Sequence, residues 1–215
     1  MKQITFFLDF ISPYSYLAFE QLPQALQGLS YSVEYRPVLF AGLLKRHGQL
    51  GPAEIEPKRD WTYRQVLWLA HRHGIPLQMP AVHPFNPLAL LRLALACGAQ
   101  GLANRYVCET VFRHVWRGGA DAADPQRIQA LIALLQPARD PASDAVKAEL
   151  KANTEAAIAR GLFGVPTCAV DDKLFWGFDA LPMLRAWLEG DAWFAGGAWE
   201  AAHKVGKGVV RAKPG

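Results

Sequence analysis

Strand character is confined to the two ends of this chain, and the long stretch from 39 to 158 carries none. Residues 3–10, QITFFLDF, are rich in β-branched and aromatic types and predict a buried strand. Apolar residues at helical spacing over 14–27, interrupted by Pro23 and closed by Gly28, predict a helix. Alternation over 31–38, YSVEYRPV, predicts a second strand. TCAV at 167–170, a turn at Asp171-Asp172 and KLFWG at 173–177 predict a hairpin, followed by a closing helix over 179–189 with Asp179 as its candidate N-cap. Between these ends the periodicity is helical, punctuated by Pro and Gly at 74–76, 80–87, 118–125 and 137–141. The pattern predicts an α/β domain built from 1–38 and 159–190, split by an all-helical insertion over 39–158. A Gly- and Ala-rich tail over 191–215 is expected to be extended and partly ordered.

Composition narrows the partners. Half of the 215 residues are hydrophobic (51%) and 20% are charged, so a sizeable core is expected and disorder is not. The formal net charge of +4 has its most local source in the tail, at Lys204, Lys207, Arg211 and Lys213. Other basic residues are scattered, with no stripe interleaved with aromatics, so nucleic acid is not expected as a partner. A mild positive excess favours small anionic ligands instead. The three cysteines, Cys97, Cys108 and Cys168, form no CxxC pair, which argues against a disulfide framework and a zinc site. Free buried thiols in a reducing compartment are expected. The N-terminus reaches Asp9 too early for a signal peptide, and no apolar run approaches the ~20 residues of a membrane span. A cytoplasmic, soluble protein with no membrane partner is expected.

Three junctions could carry chemistry. Ser12-Pro13-Tyr14-Ser15 opens the first helix, where free N–H groups and the helix dipole favour an anion; a helix cap alone would need the same residues. Gly164-Val165-Pro166-Thr167 stands at a strand entrance, where the X-Pro bond is either a cis bond beside a ligand or an ordinary trans strand start. Trp176-Gly177-Phe178-Asp179 lies at the second strand-to-helix junction, where Asp179 either pairs with a ligand ammonium or caps the helix. His71 and His73, two apart, share no helix face, and no metal is expected. Cys168 fits packing better than chemistry.

A βαβ half and a ββα half split by helices is the layout of a thioredoxin-like fold with an inserted all-helical domain. With Ser12-Pro13-Tyr14-Ser15-Tyr16-Leu17-Ala18, the run from Ala159 to Thr167, and Leu174 to Asp179, the chain resembles the 2-hydroxychromene-2-carboxylate isomerase family. That family belongs to a DsbA-like group with the kappa-class glutathione transferases, and the resemblance spans about 3 to 189. It implies that Ser12 and Ser15 replace the CxxC of disulfide oxidoreductases, and that the thiol is supplied by glutathione as cofactor.

Carried onto this chain, the resemblance makes Ser12 the catalytic residue, holding the glutathione sulfur. It assigns Val165, Trp176, Gly177, Phe178 and Asp179 to the rest of the glutathione site, with Asp179 facing the α-ammonium. It assigns Lys45, Glu56, Pro57, Lys58, Phe85 and Asn86 to the substrate side. Gln49, Glu56, Phe178 and Ala180 depart from the residues usual in the family. The implied reaction interconverts a chromene carboxylate and a trans-o-hydroxybenzylidenepyruvate by reversible thiolate addition, in naphthalene-type catabolism, in a protein expected to form a homodimer. Two alternatives stay open: a kappa-like glutathione transferase or peroxidase, and a non-catalytic binding protein of the same fold.

Overall fold

The computed structural model describes residues 1–206 together with 208 and 209. Strand β1 (Lys2–Leu8) leads into α1 (Pro13–Ala25) and β2 (Tyr31–Pro37). Six helices follow: α2 (Phe40–His47), α3 (Glu56–Arg72), α4 (Leu88–Ala96), α5 (Arg105–Trp116), α6 (Pro125–Leu135) and α7 (Asp144–Ala159). The chain then returns to β3 (Thr167–Val170), β4 (Lys173–Trp176) and α8 (Leu181–Glu189). The four strands form one sheet in the order β2-β1-β3-β4. β1 and β2 run parallel, joined through α1, while β3 lies antiparallel to both β1 and β4. This is the mixed sheet of a thioredoxin-like fold with a helical insertion.

Placement of β1 in the centre explains its unbroken apolar character. Successive side chains point to opposite faces, and here both faces are covered. Ile4, Phe6 and Leu8 face a core shared with Phe10, Phe19, Tyr35 and Phe112. Phe7 faces the other side, where Val38, Leu43, Ala157, Leu162, Val165 and Ala169 close over it from α2, α7 and β3. Each such buried side chain contributes roughly 1.5–3 kcal/mol. The helical segment is tied to the end of β1 by polar bonds as well. The buried Trp116 on α5 donates through Nε1 to the Phe10 carbonyl at 3.0 Å, and the Tyr16 hydroxyl donates to the Pro76 carbonyl at 2.6 Å. These contacts bring α5 against the turn that precedes α1, and the α3–α4 connection against α1 itself.

Three details depart from the sequence expectations. α1 runs through Pro23 to Ala25 rather than breaking there. The closing helix begins at Leu181, after a 3₁₀ turn over Phe178–Ala180, so Asp179 is no N-cap of α8. The tail is not extended: short helical turns over Ala192–Ala195 and Ala198–Ala201 fold back on the sheet edge. Phe194 and Trp199 pack on Phe175 of β4, with ring centroids 6.4 and 5.8 Å away. Lys173 lies 4.9 Å over the Trp187 ring. Aromatic burial against the exposed edge of β4 outweighs the flexibility that Gly and Ala confer. Of the basic tail residues, Lys207, Arg211 and Lys213 lie outside the described residues.

Candidate active site

Ser12 is the N-cap of α1. Its extended backbone (φ −86°, ψ 115°) and the proline at the first helical position set the helix start. The Ser12 Oγ accepts from the Ser15 N–H at 3.2 Å and donates to the Val165 carbonyl at 3.3 Å. Ser12 is only 6% exposed. A hydroxyl bond of 3.3 Å is long against the usual 2.5–3.0 Å or so, so this proton is held weakly and is free to turn to a better acceptor. Ser15 is fully buried one turn on, and its Oγ has no hydrogen-bond partner among the described residues.

The Val165-Pro166 bond, which the sequence left open between cis and trans, is cis. The Val165 carbonyl takes the Ser12 proton, and the Val165 N–H donates to no acceptor among the described residues. The third junction joins the same spot, because the Gly177 N–H donates to the Pro166 carbonyl at 2.9 Å. Gly177 has φ +98°, and a Cβ there would stand 2.5 Å from Asp179 Oδ1. A Cβ on Gly164 would stand 2.5 Å from the Trp176 indole nitrogen. Both positions therefore require glycine: Gly164 lets the Trp176 indole pack against the chain before Val165, and Gly177 lets the Asp179 carboxylate approach. Asp179 is exposed, makes no ion pair among the described residues, and raises the pKa of the Tyr14 hydroxyl, after burial of that hydroxyl. Its charge is therefore felt across the N-terminus of α1. The Phe178 ring packs edge-on against the His73 ring, 5.1 Å distant. Trp176, half exposed, packs on Phe163 at 4.7 Å.

Behind Ser12 lies a carboxyl that the sequence reading passed over. Asp9 is fully buried, accepting from the Ile11 N–H at 3.1 Å and the Phe40 N–H at 2.9 Å. Its backbone carbonyl accepts from the Ser12 N–H at 3.1 Å. Asp9 thus ties the turn presenting Ser12 to the first residue of α2. Desolvation pushes its pKa up to about 7, against the pull of the backbone donors. A charged residue ending an otherwise apolar strand was the signal that marked it.

His83 is the second residue missed in this role. Its Nε2–H donates to the Ile11 carbonyl at 2.8 Å, its Nδ1 lies 2.7 Å from the Tyr63 hydroxyl, and that hydroxyl also donates to the His83 carbonyl at 3.0 Å. Burial holds the imidazole pKa below its ordinary value, which favours the neutral ring. Both nitrogens are occupied, so His83 is no base for Ser12. It anchors the loop that carries Phe85, which is buried, its ring 6.1 Å from the imidazole. Asn86 is exposed, and its Oδ1 accepts from the Leu88 N–H at 3.1 Å at the start of α4.

Glu56, Pro57 and Lys58 form the exposed first turn of α3, and Lys58 makes no ion pair among the described residues. Tyr14 joins this helix to the site, its hydroxyl donating to Gln65 Oε1 at 2.5 Å. Lys45 goes elsewhere: it lines a cleft between α2, α4 and α7 that none of the other expected site residues lines. The chain's own thiols are unsuited to nucleophilic work. Burial pushes the Cys168 pKa up to about 12 and that of Cys108 higher still. Among the described residues no three His, Cys, Asp or Glu side chains converge on a metal position, and no helix is long and apolar enough to cross a membrane.

The sequence and the fold have counterparts among known proteins. The family profile of the DSBA-like thioredoxin domain matches residues 3–189. The 2-hydroxychromene-2-carboxylate isomerase of Sphingobium xenophagum is 30% identical over 197 residues, covering 87% of this chain and 98% of the relative. Glutathione S-transferase kappa 1 of Rattus norvegicus is 26% identical over 210 residues, covering 89% of this chain and 92% of the relative. A solved structure of a 2-hydroxychromene-2-carboxylate isomerase superposes with a TM-score of 0.76 at 27% identity, over 90% of this chain and 98% of the other.

Proposed function

Because this chain belongs to the DSBA-like thioredoxin domains, and within them to the 2-hydroxychromene-2-carboxylate isomerase family, we propose that it is a glutathione-dependent isomerase of an aromatic enol-pyruvate. The observation that carries this reading is the Ser12–Val165 contact at the start of α1, in a site with no usable protein thiol. Glutathione fits the residues present. Val165 has an unclaimed N–H for a cysteinyl carbonyl, and Asp179, which makes no ion pair among the described residues, suits an α-ammonium. Bound glutathione would supply the thiolate that adds reversibly to a conjugated carbon, so that a double bond becomes single, turns and re-forms.

Ser12 stabilises that thiolate. A hydrogen bond to a charged group contributes about 1.5–3 kcal/mol, and the N-terminus of α1 adds roughly 0.3–1 kcal/mol. Together they lower a thiol pKa from about 8.5 by roughly 1–3, enough to populate thiolate near neutrality. The hydroxyl has one proton, and it moves from the Val165 carbonyl to the sulfur. Serine as covalent nucleophile fits less well, because His83 is committed to Ile11 and Tyr63. On the substrate side, Lys58 beside Glu56 and Pro57 at the head of α3, with Phe85 and Asn86, would receive the carboxylate and ring, without Lys45, which lines a different cleft. The natural setting proposed is cytoplasmic naphthalene-type catabolism, with the protein as a homodimer.

The test is glutathione titration of the purified protein, followed by an isomerase assay on 2-hydroxychromene-2-carboxylate with and without glutathione. Turnover that requires glutathione and consumes none supports the reading. A glutathione conjugate accumulating in the product would point to a kappa-like transferase instead. No binding at millimolar glutathione would overturn the proposal.

A further inference from the structure

The cleft that receives Lys45 has a volume of about 470 Å³, in the range of small-ligand sites at roughly 300–1,000 Å³. Leu39, Leu88 and Leu150 supply its apolar wall. Lys45, Arg92, Lys147 and Lys151 surround it, against the single acid Glu155. Two of these cations are already engaged: Lys147 with Asp144 at 3.0 Å, and Lys151 with Glu155 at 3.8 Å, near the limit of an ion pair. Lys45 and Arg92 make no ion pair or side-chain hydrogen bond among the described residues. The Arg92 Nε is enclosed and has no acceptor. An enclosed donor without an acceptor is costly, and like charges gathered over apolar walls focus a positive potential. Both are relieved by an anion whose non-polar part covers the leucines.

We propose that this cleft between α2, α4 and α7 is a second ligand site, separate from the Ser12 site, for an organic carboxylate with an apolar body. The carboxylate sits between Arg92 and Lys45, where a guanidinium offers paired donors to two oxygens. The body lies on Leu88 and Leu150. Neither Ser12, Val165 nor Asp179 lines the cleft, so the site stands independently of the isomerase reading. The apolar wall favours a carboxylate with a hydrophobic body over a bare inorganic anion.

The experiment is calorimetric titration of the full chain with 1-naphthoate, with 1-naphthalenemethanol and inorganic phosphate as comparison probes. We expect Arg92→Gln to weaken 1-naphthoate at least tenfold, or to remove one site of two. Arg92→Lys should restore part of the loss, and Ser12→Ala should leave this site unchanged. Lys45→Gln, at an exposed position, serves if Arg92→Gln fails to fold, and the same tenfold loss is expected. Absence of 1-naphthoate binding at millimolar concentration overturns the proposal. So does a folded Arg92→Gln protein with wild-type affinity. Equal affinity for phosphate or for the neutral alcohol overturns it as well.

Discussion

The Ser12 hydroxyl and the Val165 carbonyl, 153 positions apart in the chain, meet at 3.3 Å where the first helix begins. One residue belongs to the strand-to-helix turn and the other to the cis-proline loop. Their meeting ties the cap of the first helix to the loop that enters β3. The contact is weak enough to give up its proton to a sulfur, and it sits over a buried carboxyl that holds the turn in place.

Ser12→Ala removes both the sulfur donor and the α1 cap. Loss of the donor, at about 1.5–3 kcal/mol, predicts a fall in kcat/KM of roughly 10- to 150-fold. The pKa of bound glutathione thiol should rise by about 1–2, read from thiolate absorbance against pH. Stability should fall by only about 1 kcal/mol, the usual cost of losing a cap. A variant with unaltered thiolate absorbance and unaltered turnover would show that Ser12 is only a cap.

Asp9 makes stability depend on pH in an unusual direction for a carboxylate. Its folded pKa of about 7 lies above the ordinary 3.8, so the protonated form favours folding. That contribution is fully present below pH 3.8 and is lost as pH rises through about 7. The gap corresponds to something on the order of 4 kcal/mol. Urea unfolding at pH 4 to 8 should therefore show wild type losing stability with rising pH relative to Asp9→Asn. Parallel curves for the two proteins would contradict the assignment.

Asp179 is expected to discriminate the two ends of glutathione. Asp179→Asn should raise the glutathione Kd about tenfold and leave the affinity for cysteinylglycine, which lacks the γ-glutamyl unit, within about twofold. Gly177→Ala should act in the same sense for a different reason. The residue has φ +98°, and the new Cβ would meet the Asp179 carboxylate. A backbone cost of about 1–2 kcal/mol should also lower the unfolding midpoint. Equal losses for both thiols would place Asp179 outside the γ-glutamyl contact.

His83→Ala should leave the Ile11 carbonyl without its donor, while the Tyr63 hydroxyl keeps the residue-83 carbonyl as acceptor. A loss of about 1–3 kcal/mol in stability is expected from the stranded carbonyl. Because burial favours the neutral imidazole and both its nitrogens are engaged, the pH dependence of kcat should keep its shape while KM rises. Loss of the alkaline or acidic limb of that profile in His83→Ala would instead give His83 a direct part in proton transfer.

Much of this was legible along the chain. Periodicity located the βαβ and ββα ends, the helical middle and the three junctions, because those patterns are local and the strands and helices impose them residue by residue. The lack of a CxxC pair and the Ser-Pro start of α1 were likewise plain from neighbouring letters. What the tertiary structure alone decided is who meets whom. The order β2-β1-β3-β4 sets the end of β1 beside the proline loop, and no local pattern states that order. Asp9 read as the end of a strand until packing buried it, and desolvation made it a titrating group near neutrality. Lys45 matched a substrate residue by position, yet α2 turns it toward Arg92 and α7. The tail read as loose until Phe194 and Trp199 found Phe175. Long-range contacts and burial depend on how whole elements dock, and that information is distributed over the chain.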